Sequence, residues 1–249
     1  MTDNLHTEIE LKLLLADDLA HATLRTWLDA HGTLHEAVQS NRYLDTTDRA
    51  LAARRMMMRV RLAGTQATCT AKAGAQMVDG IMRVSEWEAV LAGREAAAWR
   101  AGRSACKLRD LPLCEALVAG PLADLDDADA RTFHVIGVMQ TTRRAYRIAA
   151  TALGLAPGPA LTLELDHSLF PAGQERFELE VEHPDAAALK DAVTALLDRL
   201  GVAWRVADVS KYQQFLQALA AAPGMDAHDS DAQGSDTQGS ADGRFGDLS

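Results

Sequence analysis

Charged and apolar residues alternate along several short segments of this chain, and this alternation limits the possible folds more than any other feature. In the segment Leu5–Leu15, Glu8, Glu10 and Lys12 occupy every second position, and apolar residues lie between them. Side chains two positions apart share one face of a β-strand. Each such segment therefore predicts a strand with one charged face and one apolar face.

The same pattern recurs through the rest of the chain. Its charged members are Arg59 and Arg61 in RVRL, Lys72 two positions after Thr70, Glu86 and Glu88 in SEWEAV, Glu164 and Asp166 in LTLELD, and Glu178, Glu180 and Glu182 in FELEVE. One such strand alone would indicate a sheet with one solvated face. Several strands with stacked like charges would repel one another on such a face. Together they favour a barrel whose apolar residues point outward and whose charged residues point into a wet lumen.

The predicted strands outnumber the predicted helices and do not alternate with them, which argues against a parallel βαβ sheet. The strands are predicted at Leu5–Leu15, Glu36–Leu44, Met57–Leu62, Ala67–Ala73, Gly80–Val90, Val135–Ile148, Ala160–Asp166 and Glu175–His183. The helices are predicted at Asp17–Ala30, Arg94–Ala101, Asp185–Leu200 and Ser210–Ala221. The predicted fold class is α+β, an antiparallel barrel with a charged interior and helices packed outside.

The C-terminal segment differs from the rest in composition. Residues 219–249 contain six aspartates and one arginine, surrounded mainly by Gly, Ser, Gln and Ala. Such a segment has too few apolar groups to offset the entropy that ordering costs. We therefore predict one folded domain over residues 1–218 and a disordered acidic tail over residues 219–249.

Composition and charge exclude several classes of function. The 249-residue chain has a formal net charge of −10, which argues against nucleic-acid binding because that usually needs a basic surface. No apolar run is long enough for a membrane span and no secretory signal is visible, so a cytoplasmic location is expected. The three cysteines, Cys69, Cys106 and Cys114, lack CxxC spacing and indicate neither a disulfide framework nor a zinc site.

A charged lumen requires compensating charge, because buried carboxylates become neutral unless cations lie beside them. Clustered glutamate oxygens favour hard cations such as Mg²⁺ or Mn²⁺, and arginine and lysine favour phosphate oxygens. A polyphosphate bound through divalent metal ions would satisfy both sets of side chains at once.

An ordered series of short motifs supports this interpretation. The motifs are Glu8-Ile-Glu10-Leu-Lys12, Tyr43-Leu-Asp45-Thr-Thr-Asp48, Met58-Arg59-Val-Arg61, Thr70-Ala-Lys72, Arg83-Val-Ser-Glu86-Trp-Glu88, Thr142-Arg143 with Tyr146, Glu164-Leu-Asp166, Glu178-Leu-Glu180-Val-Glu182 and Ser210-Lys211-Tyr212. Together they resemble the CYTH family, the triphosphate tunnel metalloenzymes, and look most like its bacterial inorganic triphosphatases. The resemblance covers roughly residues 5–216, and the whole series is far more specific than ExExK alone.

The resemblance implies an eight-stranded antiparallel tunnel that hydrolyses a triphosphate with Mg²⁺ or Mn²⁺, and two ions are expected. It implies metal ligands at Glu8, Glu10, Glu178 and Glu180 and phosphate-binding residues at Lys12, Arg59, Arg61, Lys72, Arg83 and Arg143. The expected catalytic residues are Glu10, Lys12, Glu180 and Lys211, supported by Glu86, Glu88, Asp166 and Glu182. Arg144, beside Arg143, is the alternative phosphate ligand.

The same motifs leave other activities open. An adenylyl cyclase of this family would use the 3′-hydroxyl of ATP in place of water, and thiamine triphosphatase is a third alternative. Hydrolysis is favoured because SEWEAVL and its spacing resemble the triphosphatase branch. A non-catalytic polyphosphate- or nucleotide-binding module would not need so many carboxylates. The expected partner is a small-molecule triphosphate, with no nucleic acid and no membrane, and the protein is expected to be a monomer or a homodimer.

Overall fold

The computed structural model describes residues 5–222, and an antiparallel β-barrel dominates this part of the chain. The barrel strands are β1 (Leu5–Leu15), β2 (Gly32–Asp45), β3 (Met57–Ala63), β4 (Gln66–Val78), β5 (Ile81–Val90), β7 (Thr132–Ile148), β8 (Leu161–Leu169) and β9 (Glu175–Glu182). Two short strands lie beside it: β6 (Ala105–Lys107) pairs with β7, and β10 (Trp204–Val206) pairs with β1.

The barrel closes because β1 pairs with both β5 and β9. Around the ring the strand order is β1-β5-β4-β3-β2-β7-β8-β9, and β9 then meets β1 again. All of these pairings are antiparallel. The predicted α+β fold with a closed eight-stranded barrel is therefore confirmed.

Helices cover the outside of the barrel and one of its ends. They are α1 (Asp18–His31), α2 (Ala50–Ala53), α3 (Gly93–Arg100), α4 (Cys114–Val118), α5 (Ala186–Arg199) and α6 (Lys211–Ala221). Asp17 caps α1 by accepting a hydrogen bond from the Ala20 amide, and Ser210 caps α6 in a capping box with Gln213. The four predicted helices correspond to α1, α3, α5 and α6.

The apolar strand faces point outward, as the alternation predicts. Leu11 and Leu13 of β1 are fully buried in a cluster that also contains Leu24 of α1 and Val193 of α5. A second cluster covers β3 and β4 and includes Trp99 of α3. Because removal of apolar area from water stabilises the fold by about 25 cal/mol per Å², these outer clusters stabilise the barrel wall and leave its inner face to polar residues.

Helix α6 lies across the end of the barrel where β2 and β4 finish and β3 and β5 begin. Its Phe215 is buried in a third cluster with Tyr43, Met57 and Phe170, all from the strand ends at this opening. Gly137 of β7 permits the close approach, because a Cβ at this position would lie 2.8 Å from Phe215 Cζ. This helix therefore covers one end of the lumen.

Two parts of the fold differ from the pattern-based expectation. The segment 105–131 shows no clear period, yet it forms β6, a 3₁₀ turn at Leu108–Asp110 and α4, packed on the second cluster. Strand β4 continues beyond Ala73 to Val78 through a bulge between Ala73 and Gln76. The expected domain boundary after residue 218 falls inside α6, and residues 223–249 of the predicted tail lie outside the described residues.

Within residues 5–222, no helix is both long enough and apolar enough to cross a membrane.

Candidate active site

The barrel encloses a cavity of about 680 Å³ whose lining is dominated by ionisable side chains. The cationic residues are Lys12, Arg55, Arg59, Arg61, Lys72, Arg143 and Lys211, and the carboxylates are Glu8, Glu10, Glu86, Glu88, Glu164, Glu180 and Glu182. Twelve of the fifteen predicted site residues are in this lining. The cavity thus brings together both signs of charge from strands that are far apart in sequence.

Lys12 lies at the centre of a buried ion-pair network. Its Nζ is 2.5 Å from Glu180 Oε1 and 3.0 Å from Glu10 Oε1. Strand register explains these contacts, because Lys12 pairs with Glu180 across β1 and β9 and Glu10 is two positions away. Burial lowers the pKa of Lys12, but the two carboxylates raise it by more, so the ammonium group remains charged.

Helix α6 contributes a second ammonium group to this network. Lys211 Nζ is 2.6 Å from Asp166 Oδ2, 2.9 Å from Glu178 Oε2 and 3.0 Å from Glu180 Oε1. One helical turn later, Gln214 Nε2 donates to Glu178 Oε1 at 3.1 Å. Asp166 and Glu178, a cross-strand pair of β8 and β9, are almost fully buried, and neither is in the cavity lining. They anchor α6 to the barrel.

The structure brings Arg143, and not Arg144, to the cavity. Arg143 Nη2 is 2.6 Å from both Asp166 Oδ2 and Glu180 Oε2. Burial lowers the pKa of Arg143, but these two carboxylates raise it well above its usual value. Arg144 lies on the opposite face of β7, where its Nε is 2.6 Å from Glu36 Oε2.

Lys72 connects β4 to both β1 and β5. It forms an ion pair with Glu8, and its Nζ is 2.7 Å from Glu86 Oε2. Two positions along β5, Glu88 Oε2 accepts a hydrogen bond from Thr70 Oγ1 at 3.1 Å. Burial raises the pKa of Glu86, but its contacts with Glu8 and Lys72 lower it below the usual value. Glu86 therefore fixes the position of Lys72 in the lumen.

Arg59 and Arg61 of β3 form a part of the lining with excess positive charge, which we call the basic wall. Within residues 5–222, neither has a carboxylate oxygen within 4.0 Å of its guanidinium nitrogens. Arg61 Nε donates to Asn41 Oδ1 at 3.2 Å, and Arg59 Nε is buried without a hydrogen-bond partner. Burial, together with the charges of Arg59 and Arg143, lowers the pKa of Arg61 to about 10. An anion between these groups would relieve the repulsion.

Glu8 and Glu10 of β1 and Glu182 of β9 form the acidic wall, across the ring from β3. Burial raises the pKa of Glu10 to about 7, and Glu180 and Glu8 add to the effect while Lys12 opposes it. Burial and the charges of Glu8 and Glu10 also raise the pKa of Glu182. This wall carries more negative charge than its lysines neutralise.

The acidic wall fits a divalent cation by its donor chemistry. Carboxylate oxygens are preferred ligands of Mg²⁺ and Mn²⁺, and the buried Glu10 Oε1 is held by an ion pair, 3.0 Å from Lys12 Nζ. In the part of the chain that the structure describes, no three ligating side chains converge as a ready-made metal site. Lys12 and Lys72 hold carboxylates of this wall in ion pairs, so a metal ion would compete with them for the same oxygens.

Arg83 does not reach the cavity, which corrects the expectation that it binds phosphate. On β5, Met82, Val84 and Glu86 line the lumen, and Arg83 lies between them on the exposed outer face. The reason is the strand period: Arg83 and Glu86 are an odd number of positions apart and cannot share a face of a regular strand.

The cavity also contains residues to which the motifs assign no role. Glu164 lines the cavity as the alternation of β8 predicts, and His6, which follows the same two-residue period on β1, could have been assigned to the lumen from sequence. Arg55 has no such signal, because it lies in the turn after α2 with a left-handed backbone (φ 54°). Tyr43 of β2 lines the cavity and packs against α6.

The comparisons with known proteins agree with this geometry. The CYTH domain model matches residues 6–215, and the chain therefore belongs to the CYTH family. No curated protein matches the chain.

Solved structures show the same barrel. One is a candidate adenylyl cyclase from Hippeastrum, described as having a dominant triphosphatase activity, with 21% identity, a TM-score of 0.71 and coverage of 84% of this chain and 95% of that chain. Another is a candidate adenylate cyclase from Bacillus halodurans, with 23% identity, a TM-score of 0.57 and coverage of 84% and 98%. A protein of Pyrococcus horikoshii has 16% identity, a TM-score of 0.52 and coverage of 84% and 98%. At these identities the likeness shows a shared fold.

Proposed function

We propose that the protein is a metal-dependent triphosphatase that hydrolyses inorganic tripolyphosphate to pyrophosphate and orthophosphate inside the barrel. The observation that carries this proposal is the presence of two incompletely compensated walls in one cavity. Arg59 and Arg61 lack carboxylate partners within residues 5–222, while Glu10 has a pKa raised to about 7. A triphosphate bound with metal ions carries both missing charges, so a single ligand would neutralise both walls.

In this proposal the basic residues bind and orient the substrate. Arg59 and Arg61 donate hydrogen bonds to the phosphate oxygens first, because no carboxylate of the described residues has to be displaced from them. Arg143 and Lys72 lie in the same lining but already hold carboxylates, so they contribute fixed positive charge. Positive charge at these positions offsets the negative charge that grows on the leaving pyrophosphate, and such electrostatic stabilisation supplies most of the rate in phosphoryl transfer.

The carboxylates of the acidic wall would hold Mg²⁺ or Mn²⁺, with Glu8, Glu10 and Glu180 as the proposed ligands that line the cavity. Bound metal ions would neutralise phosphate charge and activate water for attack on the terminal phosphorus. Glu178 is a different case, because Lys211 and Gln214 contact both of its carboxylate oxygens. It would become a metal ligand only after α6 releases it.

Lys12 and Lys211 have a positioning role in this account. Both contact Glu180 Oε1, at 2.5 Å and 3.0 Å, and so fix one proposed metal ligand from two directions. The α6 helix that carries Lys211 also covers the barrel end, which limits the entry of bulk water. Water exclusion strengthens electrostatic interactions between the lining and a bound anion.

Analysis of products tests this proposal. Purified protein would be incubated with tripolyphosphate, ATP or thiamine triphosphate, each with Mg²⁺, with Mn²⁺ and with EDTA. We expect metal-dependent release of orthophosphate, fastest from tripolyphosphate. Cyclic AMP and pyrophosphate from ATP would instead establish the adenylyl cyclase alternative. Tight binding of tripolyphosphate without turnover of any substrate would establish a binding module.

A further inference from the structure

A second, smaller cavity lies at the barrel end that α6 covers. Its volume is about 180 Å³, and its lining shares no residue with the lining of the barrel cavity. Arg176 of β9, Arg205 of β10 and Gln214 of α6 contribute polar groups to it. The proposed hydrolysis uses neither of these arginines, so the second cavity needs a separate explanation.

Strand pairing brings the two arginines to the same cavity. Leu14, near the end of β1, is the cross-strand partner of Arg205 on one side and of Glu178 on the other. Direct cross-strand partners share a face of the sheet. Arg176 is two positions before Glu178 on β9 and therefore lies on this face as well. The register thus places both arginine side chains on one side of the sheet, where both line the cavity.

Helix α6 separates the second cavity from the barrel cavity. Tyr212 and Leu216, four positions apart, line the barrel cavity, whereas Gln214 and Gln217, three positions apart, line the second cavity. Residues at these spacings share a face of a helix, so α6 presents different faces to the two cavities. Gln214 Nε2 also donates to Glu178 Oε1 at 3.1 Å. This residue therefore joins the second cavity to the ion-pair network that anchors α6.

The positive charge of the second cavity is incompletely compensated. Arg176 Nη1 donates to the Glu175 carbonyl oxygen at 2.8 Å and Nη2 donates to Gln174 Oε1 at 3.4 Å, and both of these acceptors are neutral. Within residues 5–222, no carboxylate oxygen lies within 4.0 Å of the Arg176 guanidinium nitrogens. Arg205 Nη1 is 3.4 Å from Asp208 Oδ1, but both side chains are more than half exposed, and water screens such a pair. The lining therefore favours an anion.

The amide of Gln214 adds the opposite requirement. Gln214 has only 9% of its surface exposed. Its Nε2 faces the Glu178 carboxylate, which accepts the hydrogen bond, so Oε1 occupies the other branch of the amide. Within residues 5–222, this Oε1 is buried without a hydrogen-bond partner. An amide oxygen can only accept hydrogen bonds, and a buried acceptor without a donor is unfavourable. A ligand of this cavity therefore has to supply a donor.

These two requirements together define the chemistry of the ligand. The arginines need oxygens that accept hydrogen bonds, and Gln214 Oε1 needs a group that donates one. A protonated oxyanion such as hydrogen phosphate has both on one small ion, whereas sulfate lacks the proton. The cavity volume of about 180 Å³ is below the roughly 300 Å³ at which pockets for organic ligands begin, which also favours a small ion.

We propose that the second cavity is a binding site for hydrogen phosphate, separate from the barrel cavity. Arg176 and Arg205 bind its oxygens, and Gln214 Oε1 accepts a hydrogen bond from its hydroxyl group. This inference goes beyond the proposed function and does not depend on it, because the site binds an ion without breaking a bond. Orthophosphate, a product of the proposed hydrolysis, is the compound that would supply this ion.

The test is calorimetric titration of orthophosphate into the full-length protein, with EDTA and in a buffer without phosphate. Because orthophosphate would also bind the basic wall, every protein titrated carries Arg59→Gln and Arg61→Gln. In this background Arg176→Gln is compared with Arg199→Gln, which changes an exposed arginine of α5 that lines neither cavity. We expect R176Q to raise the Kd of orthophosphate about tenfold or more, as for the loss of a charge-assisted hydrogen bond. R199Q should leave the Kd within about twofold of the background value.

Titration with sulfate tests the role of Gln214. At about pH 8 both ions carry two negative charges, but only orthophosphate also carries a proton. The background protein should bind orthophosphate at least about tenfold more tightly than sulfate, because a site that accepts a hydrogen bond from its ligand rejects an analogue without the donor. Gln214→Met removes the amide oxygen and should bring the two affinities within about twofold of each other.

The outcomes separate this inference from the proposed function. Absence of orthophosphate binding in the background protein, or equal binding in R176Q and R199Q, would overturn the site. Equal affinity of the background protein for orthophosphate and sulfate would overturn the assignment of hydrogen phosphate as the ligand. Hydrolysis of tripolyphosphate by the wild-type protein is measured separately, so a failure of either proposal leaves the other standing.

Discussion

The basic wall and the acidic wall of the cavity are built from the same kind of strand but differ in how their charges are compensated. On β3, Arg59 and Arg61 have no carboxylate within 4.0 Å in the described part of the chain. On β1, Glu8 and Glu10 each have a lysine partner, yet the pKa of Glu10 is still raised to about 7. One wall therefore lacks an anion, and the other lacks a cation.

This difference indicates how the site is assembled. A protein that only needed stability would pair the two walls with each other, because uncompensated buried charge is costly. The barrel instead holds them on opposite sides of the ring, with β5 and β4 between them on one side. The separation leaves room for a ligand that contains both charges, and such a ligand would relieve the electrostatic repulsion between like charges within each wall.

The largest expected effect is on the basic wall. Arg59→Gln should lower kcat/KM for tripolyphosphate about 100-fold or more, because it removes a cation that, in the proposed function, would contact the developing charge. Arg144→Gln is the matched control, since Arg144 lies on the outer face of the barrel. Its kcat/KM should stay within about twofold of the wild-type value. Similar losses in both variants, measured by phosphate release, would contradict the assignment of the basic wall.

The acidic wall should determine metal affinity. Glu10→Gln keeps the shape of the side chain but removes its charge, so the Mg²⁺ concentration needed for half-maximal activity should rise at least about tenfold. Glu36→Gln removes a carboxylate from the outer face and should leave this Mg²⁺ concentration unchanged. Two measurements check the metal affinity: activity as a function of Mg²⁺ concentration, and Mn²⁺ binding followed by electron paramagnetic resonance. An unchanged metal requirement in E10Q would show that Glu10 is not a ligand.

The raised pKa of Glu10 predicts a pH-dependent stability of the metal-free protein. Its pKa is about 7 in the folded state and 4.5 ordinarily, so the folded state binds more protons than the unfolded state between these values. Glu10 therefore adds stability below pH 4.5, and this contribution is lost as pH rises through 7. We would measure the free energy of unfolding by urea denaturation in the presence of EDTA. Between pH 5 and pH 8 this free energy should fall by on the order of 1 kcal/mol more in the wild type than in E10Q. If the free energy of unfolding depended on pH in the same way in the wild type and in E10Q, the contribution of Glu10 to this pH dependence would be ruled out.

The smallest effect is expected from the ion pair on the outer face. Arg144→Gln and Glu36→Gln should each change the free energy of unfolding by less than about 1 kcal/mol, because partly exposed ion pairs are screened by water. Glu36 has 43% of its side chain exposed in this pair. Urea denaturation at neutral pH measures this. A larger change would mean that the pairing of charges on the outer face contributes as much to stability as the pairing of charges in the lumen.

Sequence periodicity predicted the fold and the lumen-facing residues where the strands are regular. Glu8, Glu10 and Lys12 share a face because β1 has no irregularity, and the same holds for Arg59 and Arg61 on β3. In such strands the two-residue period determines the inward face, and the outward apolar face determines which helices cover it.

Periodicity did not predict the lumen-facing residues where the backbone departs from a regular strand or where side chains of α6 cover a strand residue. Arg83 was expected in the lumen through motif order, but strand parity places it outside. Met77 enters the lumen only through the bulge in β4, and bulges have no reliable signal in a single sequence. Glu178 faces inward as expected, but Lys211 and Gln214 cover it, and this tertiary contact is not encoded in the local pattern.

The most direct test of the two-wall account is calorimetric titration of tripolyphosphate, with Mg²⁺ and with EDTA, under conditions or in a variant without turnover. If the substrate and the metal ions complete opposite walls of one cavity, each should increase the affinity for the other, and Mg²⁺ should tighten tripolyphosphate binding by about tenfold or more. Equal affinity with Mg²⁺ and with EDTA would contradict the account, because it would show that the basic wall binds phosphate independently of the acidic wall.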